Sequence, residues 1–230
     1  MLLLTSVLIA SGIQADNTLS DYEARTGWKL LFDGRTTAGW RKFGADEPVG
    51  SGWKVEDGAL TFVPGTGAGG DVMTDQDYAD FDLLIDWKVA PGGNSGVFYR
   101  SDPTQNPSYL TGPEMQVLDN ARHPDGRNIL TSAGAVYAVY PANREIIRPA
   151  GQWNTFRITA MGTWVRHFAN GVLVANYTIN SEAWKKKKAG SFFKDWDQWG
   201  QQPKGRIVMQ DHGDRVAFKN IKIRVIHSKP

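Results

Sequence analysis

Between Gly92 and Asp119 the chain reads GGNSGVFYRSDPTQNPSYLTGPEMQVLD, two strand-like runs joined by a polar loop. Successive side chains of a strand point to opposite faces. The run Pro113–Asp119 therefore sends Met115 and Val117 one way and Glu114 and Gln116 the other. In the run Asn94–Ser101, Arg100 shares a face with Gly96 and Phe98, opposite Val97 and Tyr99. Gly205–His212 repeats the pattern, with Ile207 and Met209 apolar and Arg206, Val208, Gln210 and His212 opposite. An arginine, a glutamate, two glutamines and a histidine on open sheet faces suit a polar, hydroxyl-rich ligand. Asp211 and His212 are neighbours in a strand, so their side chains diverge unless the strand ends at Gly213.

The elements that must position these residues read as strands. Phe81–Val89 alternates Phe81, Leu83, Ile85, Trp87 and Val89 with mostly polar residues, the pattern of a sheet buried on one face. Trp28–Phe32, Trp53–Glu56, Ala59–Val63, Trp153–Met161, Trp164–Ala169, Val172–Ile179 and Val216–Ile226 are further strands. Asp57-Gly58 and Asn170-Gly171 are tight hairpin signals. A two-residue turn at Asn170-Gly171 places Trp164 and Phe168 with Leu173 and Tyr177, and His167 on the other face with Val165 and Val174. His167, flanked by valines, reads as structural. Asn120–Ile147 is a long irregular segment with a short strand near Ala133–Val139, and irregular loops of that length are usually functional. Pro64–Gly70 holds four glycines and is a loop, with no following lysine or helix start to cradle phosphate. Ser181–Gln202 is a basic, aromatic insertion with room for a helical turn. The whole describes one all-β domain, 27–226, built as a two-sheet antiparallel sandwich behind a polar arm, 16–26.

Composition removes several classes. The chain has 230 residues and no cysteine, so disulfides, thiolate nucleophiles and Cys-based zinc sites are excluded. Formal net charge is +2, and Lys185–Lys188 alone contributes four positive charges, so no general nucleic-acid footprint exists. That lysine run reads as a solvated surface segment. Leu2–Ala10 is apolar, too short to span a bilayer, and followed by a plausible cleavage point after Ala15. Residues 1–15 thus read as a signal peptide, giving a periplasmic or secreted bacterial protein with no stable membrane insertion after its removal. No cofactor is expected; no ligand spacing matches a known metal motif, and a divalent cation stays compatible with the residues present.

The motifs GWKLLFDG (27–34), WKVEDGAL (53–60), PGGNSGVFYR (91–100), PEMQVLDN (113–120), GQWNTFRI (151–158) and GRIVMQDHGDRVAFKNIKIR (205–224) occur in order. This ordered set resembles the 3-keto-disaccharide hydrolase family and covers nearly everything from Gly27 to Arg224. The resemblance implies a concanavalin A-like jelly roll with a sugar site on a concave face, and cleavage of glycosides whose glucose is oxidised at carbon 3. Glu114 and Gln116 match the family's EVQ-type strand, with Met115 between them, and Gln210-Asp211-His212-Gly213 is kept. Pro113 stands where an aromatic or other residue commonly precedes the glutamate.

A ketone at carbon 3 acidifies the carbon 2 proton, so the site needs a base, an acid and a donor for the enolate oxygen. Glu114 or His212 is assigned to proton transfer, Arg100 to the developing anion, and Gln116 and Gln210 to sugar hydroxyls. Asp119 and His123 are loop-borne supports, His123 at the mouth of the irregular segment. The substrate partner is then an oligosaccharide or glycoside. Two other readings compete. A conventional endo-glycosidase of laminarinase type needs two flanking carboxylates, and Gln116 cannot ionise. A non-catalytic carbohydrate-binding module on the same fold would tolerate loss of Glu114 and His212.

Overall fold

Turn chemistry fixes the hairpins first. In a computed structural model describing residues 14–227, Asp57 and Gly58 take φ of 49° and 72°, and Asn170 and Gly171 take 47° and 83°. Positive φ at both central positions is what a two-residue type I′ turn demands. Glu56 accordingly pairs with Ala59, and Ala169 with Val172.

Thirteen strands are present among the described residues: β1 (Trp28–Leu30), β2 (Trp40–Lys42), β3 (Trp53–Glu56), β4 (Ala59–Phe62), β5 (Val72–Thr74), β6 (Phe81–Val89), β7 (Asn94–Ser101), β8 (Glu114–Leu118), β9 (Asn154–Met161), β10 (Trp164–Ala169), β11 (Val172–Thr178), β12 (Arg206–Met209) and β13 (Val216–Val225). They form two antiparallel sheets. The larger runs β11-β10-β9-β6-β13-β4-β3, with β1 also paired to β13, and the smaller runs β2-β5-β12-β7-β8. The two-sheet all-β sandwich read from the sequence is the observed architecture. The short strands β2 and β5 carry no alternation long enough to reveal them.

The sheets close over one core. Phe81, Leu83, Ile85 and Trp87 from the larger sheet meet Val97, Met115, Val117, Ile207 and Met209 from the smaller, all nearly or fully buried. Burial of each large apolar side chain stabilises the fold by about 1.5–3 kcal/mol. The opposite face of β7, β8 and β12 carries polar groups beside a second, smaller apolar cluster of Phe43, Met73, Phe98 and Val208.

Three expectations need correction. Trp28–Phe32 is shorter than expected, its strand ending at Leu30. Ala133–Val139 is not a regular strand. It lies along β8, where the Gln116 N–H donates to Ala135 O, the Gly134 N–H to Gln116 O and the Tyr137 N–H to Glu114 O, so it covers that edge without forming a ladder. The register between β10 and β11 shifts between His167 and Phe168, so Val174 is bulged out. Tyr177 therefore opposes Val165 and turns inward, instead of sharing the face of Trp164. His167 is fully buried, contacts the Tyr99 hydroxyl at 3.1 Å, and is held neutral by burial with its pKa pushed down to about 3. Its structural reading stands.

The arm forms a helix, α1 (Asp21–Arg25), started by a Ser20/Glu23 capping box. It is tied to the larger sheet where the Lys222 ammonium donates to Glu23 at 2.7 Å and the Asn17 N–H to Asn220 at 2.6 Å. The insertion after β11 contains α2 (Glu182–Ala189), which carries the lysine run. Among the described residues no helix is long and apolar enough to cross a membrane. The apolar run Leu2–Ala10 lies outside the described residues.

Candidate active site

Gly96 makes the site possible. It pairs with Gln116 across the β7–β8 ladder, and a Cβ there would sit 2.2 Å from Glu114 Oε1. Without a side chain at 96, the Glu114 carboxyl lies over the sheet's outer face. Strand parity delivers Asn94, Gln116 and Gln210 to the same face, the Gln210 N–H donating to Gly96 O at 3.0 Å. Strand β12 ends at Met209, which frees His212 to turn back, 3.4 Å from the Asn94 amide nitrogen. The Ser95 hydroxyl pins the Gln210 carbonyl at 2.7 Å and so holds this end of the strand against β7.

These groups line one cavity of about 200 Å³, together with Tyr109, Asp125, Tyr137, Phe192 and Phe193. Glu114, Gln116, Gln210 and His212 thus converge from β8 and from β12 and the turn after it, while the other three predicted site residues do not line the cavity. Arg100 departs for a clear reason. Ser101 pairs with Arg206 and Phe98 with Val208, so two residues of β7 oppose one of β12, and Arg100 sits in the bulge at φ 53°. The bulge swings its guanidinium to Ala79 O at 2.9 Å and Gly162 O at 2.7 Å, beside Asp80 at 3.3 Å. Arg100 is a buried structural anchor, and its assignment to a developing anion is overturned by this geometry. Asp119 is a turn-former: its carboxylate accepts from the Gly92 N–H at 2.7 Å and the Ala121 N–H at 3.1 Å. His123 caps the short 3₁₀ turn Pro124–Arg127 through Nδ1, which accepts the Asp125 N–H at 3.2 Å. Its ring stands edge-on to that of His212, centroids 6.4 Å apart, so it backs the cavity without lining it.

The electrostatics of the cavity centre on Glu114. Burial pushes its carboxyl well above the usual range, and the neighbouring carboxylates of Asp71 and Asp125 push the same way. Glu114 is therefore biased toward its protonated, hydrogen-bond-donating form. Tyr137 is also raised, chiefly by burial and then by Asp125, to which its hydroxyl donates, and by Glu114. Two buried side-chain oxygens, Asn94 Oδ1 and Gln210 Oε1, have no hydrogen-bond partner among the described residues. Such atoms call for a donor, and sugar hydroxyls are donors of the right kind. Among the described residues no three His, Asp or Glu side chains gather into a metal-binding cluster.

Several lining residues escaped the sequence reading. Asn94 could have been found, because its parity matches Gly96. Asp125 and Tyr137 lie in the irregular segment marked as functional, and Phe192 and Phe193 in the aromatic insertion. Irregular backbone carries no periodicity that would aim their side chains.

The same architecture occurs in known proteins. A curated 3-keto-disaccharide hydrolase of Bacteroides thetaiotaomicron is 34% identical, over 87% of this chain and 79% of that protein. A crystal structure of a Parabacteroides distasonis protein classed as a candidate glycosyl hydrolase superposes with a TM-score of 0.84 at 30% identity, covering 93% of this chain and 100% of that one. A Bacillus licheniformis beta-glucanase, 14% identical with a TM-score of 0.51 over 87% of this chain and 97% of its own, shares the fold alone. The profile of the 3-keto-alpha-glucoside-1,2-lyase-like domain matches residues 27–224, and the chain belongs to that family.

Proposed function

We propose that the protein is a carbohydrate hydrolase that cleaves 3-keto-glycosides by elimination across C1 and C2 followed by hydration. The observation that carries this reading is a buried glutamate, its carboxyl biased toward the protonated form, lining one cavity with His212 and two partnerless amide oxygens. A protonated carboxyl is a poor nucleophile, which disfavours displacement by paired carboxylates. It is a good hydrogen-bond donor to an oxyanion, the role that neutral carboxylic acids serve in enolising sites.

His212 takes the proton from C2, and the electron pair moves onto the C3 oxygen, where Glu114 donates. The enolate re-forms its ketone by expelling the C1 oxygen substituent, which leaves with the proton carried by His212. Water then adds at C1 of the enone, and C2 is reprotonated. The sum is glycoside plus water to 3-keto sugar plus alcohol, with no redox change. Asn94, Gln116 and Gln210 hold the hydroxyls.

The test is incubation with a 3-keto-disaccharide and its unoxidised parent in D₂O. Release of sugars from the ketone alone, with deuterium at C2 arising faster than in an enzyme-free control, is the expected result. Cleavage of the parent at a comparable rate, or release without C2 deuterium, overturns the mechanism. We further propose export, with a mature chain beginning near Asp16; N-terminal sequencing that returned Met1 from the host protein would reject it.

A further inference from the structure

We propose that the groove continues past the cavity into a second lobe that holds a polar, sugar-sized leaving group, built from Lys42, Phe43, Asp71 and Asn106. This assignment rests on the hydrolase reading above. The second lobe encloses about 350 Å³ and shares Tyr109, Gln210 and His212 with the first. The first lobe alone is small for a ligand site, whereas the two together fall well within the ordinary 300–1,000 Å³ range.

The lobes follow from strand order. Glu114 and Gln116 stand on β8, Gln210 and His212 on and after β12, Asp71 just before β5, and Lys42 on β2. A ligand crossing from β8 toward β2 passes over His212 midway. The bond to be broken therefore belongs at the junction, with the oxidised ring over Glu114 and the leaving group over Asp71 and Lys42. This placement explains why one histidine suffices for the proton: at the junction it reaches both C2 of the oxidised ring and the departing oxygen.

The chemistry of the second lobe favours a sugar over an aryl group. Lys42 and Asn106 present polar ends at its exposed rim, and Asp71 is fixed deeper by the Ser108 hydroxyl and the Asp211 N–H. Tyr109 offers a half-exposed ring held by stacking on Trp196, centroids 6.0 Å apart, suited to the C–H face of a pyranose. Lys42 pairs with Glu47 at 3.0 Å, both groups well exposed, so the ammonium can exchange this partner for a hydroxyl at little cost.

The experiment compares kcat/KM for a 3-keto-disaccharide, methyl 3-keto-glucoside and phenyl 3-keto-glucoside, in the native protein and a Lys42→Ala/Asn106→Ala double variant. The native protein should prefer the disaccharide, and the disaccharide-to-methyl ratio should fall by about tenfold in the variant, the size expected for losing hydrogen bonds that include a charged donor. An unchanged ratio, or a native preference for the phenyl compound, overturns the assignment. Should the native protein turn over none of the three ketones, the hydrolase reading fails by itself, and a second measurement decides the lobe. Titration with an unoxidised disaccharide should shift the amide NMR signals of Lys42, Asn106 and Tyr109; shifts confined to other residues, or none, refute it.

Discussion

Replacing Glu114 by glutamine isolates the feature on which the mechanism depends. The substitution keeps shape and removes the titrating proton. Glu114 has its folded pKa raised, so below about pH 4.5 it is protonated in both folded and unfolded chains and adds no pH dependence. Above that value the unfolded chain ionises while the folded chain retains its proton. The native protein then loses stability by about 1.4 kcal/mol per pH unit until the folded pKa is reached. Glutamine cannot ionise in either state, so the variant escapes the loss. The melting temperature of Glu114→Gln minus that of the native protein should therefore rise with pH above 4.5, by about 3–5 °C per unit for a chain of this size. Asp71 also has a raised pKa but is common to both proteins, so the difference largely removes its contribution. The assay is a pair of thermal melts at half-unit steps from pH 4 to 8. A flat difference across that range would mean that Glu114 is ionised in the folded protein. The neutral-donor role would then fall with it.

Activity should follow the same logic. Glu114→Ala removes a donor to the enolate and should lower kcat by about 10²–10³-fold, whereas Glu114→Gln retains an N–H and should lose less; full activity in the alanine variant would place the chemistry elsewhere. Gly96→Ala should fold, because Gly96 is not among the residues at positive φ, yet its Cβ would displace the Glu114 carboxyl, and activity should drop with little change in melting temperature. Arg100→Met should cost about 2–3 kcal/mol of stability by removing the buried guanidinium that ties Ala79 O, Gly162 O and Asp80 together, while substrate affinity per folded molecule is retained. A large KM increase in correctly folded Arg100→Met would restore the arginine to the site.

The sandwich and most strands were legible because apolar alternation in Phe81–Val89 and the turns at Asp57-Gly58 and Asn170-Gly171 are local rules that the fold obeys. Parity was equally reliable wherever a strand stayed regular, and it placed Glu114, Gln116 and Gln210 on one face. It failed where a bulge intervened. A single extra residue in β7 turned Arg100 from the open face into a buried anchor, and another in β11 reversed Tyr177. Neither bulge leaves a mark in composition. Arg100 is a non-glycine residue at φ 53°, so the positive φ that makes the bulge is invisible in the residue type. Asp119 shows the complementary limit: a carboxylate next to a site strand is just as useful for tying a turn as for holding a ligand.

The aromatic insertion was legible only as composition, yet its packing explains how an irregular segment can wall a site. Tyr177, Trp184, Trp199 and Phe193 stack face to face in one column, with successive centroids 5.2, 5.1 and 4.1 Å apart and interplanar angles of 7–16°, and Tyr140 packs against both Tyr177 and Trp184. One end rests on β11 of the larger sheet; the other, Phe193, lines the cavity. Position 200 must be small, since a Cβ at Gly200 would meet the Trp184 ring at 2.8 Å. The cavity wall is thus held by ring stacking rather than by a strand ladder, and its stability is coupled to the core. Trp184→Ala should remove the middle of the column, at about 3–5 kcal/mol for a buried large aromatic. If the wall depends on the column, Phe193 loses its support and the variant's KM rises along with the fall in melting temperature. A fall in stability with KM unchanged would show that the wall is held by its own loop contacts, and that the column serves the core alone.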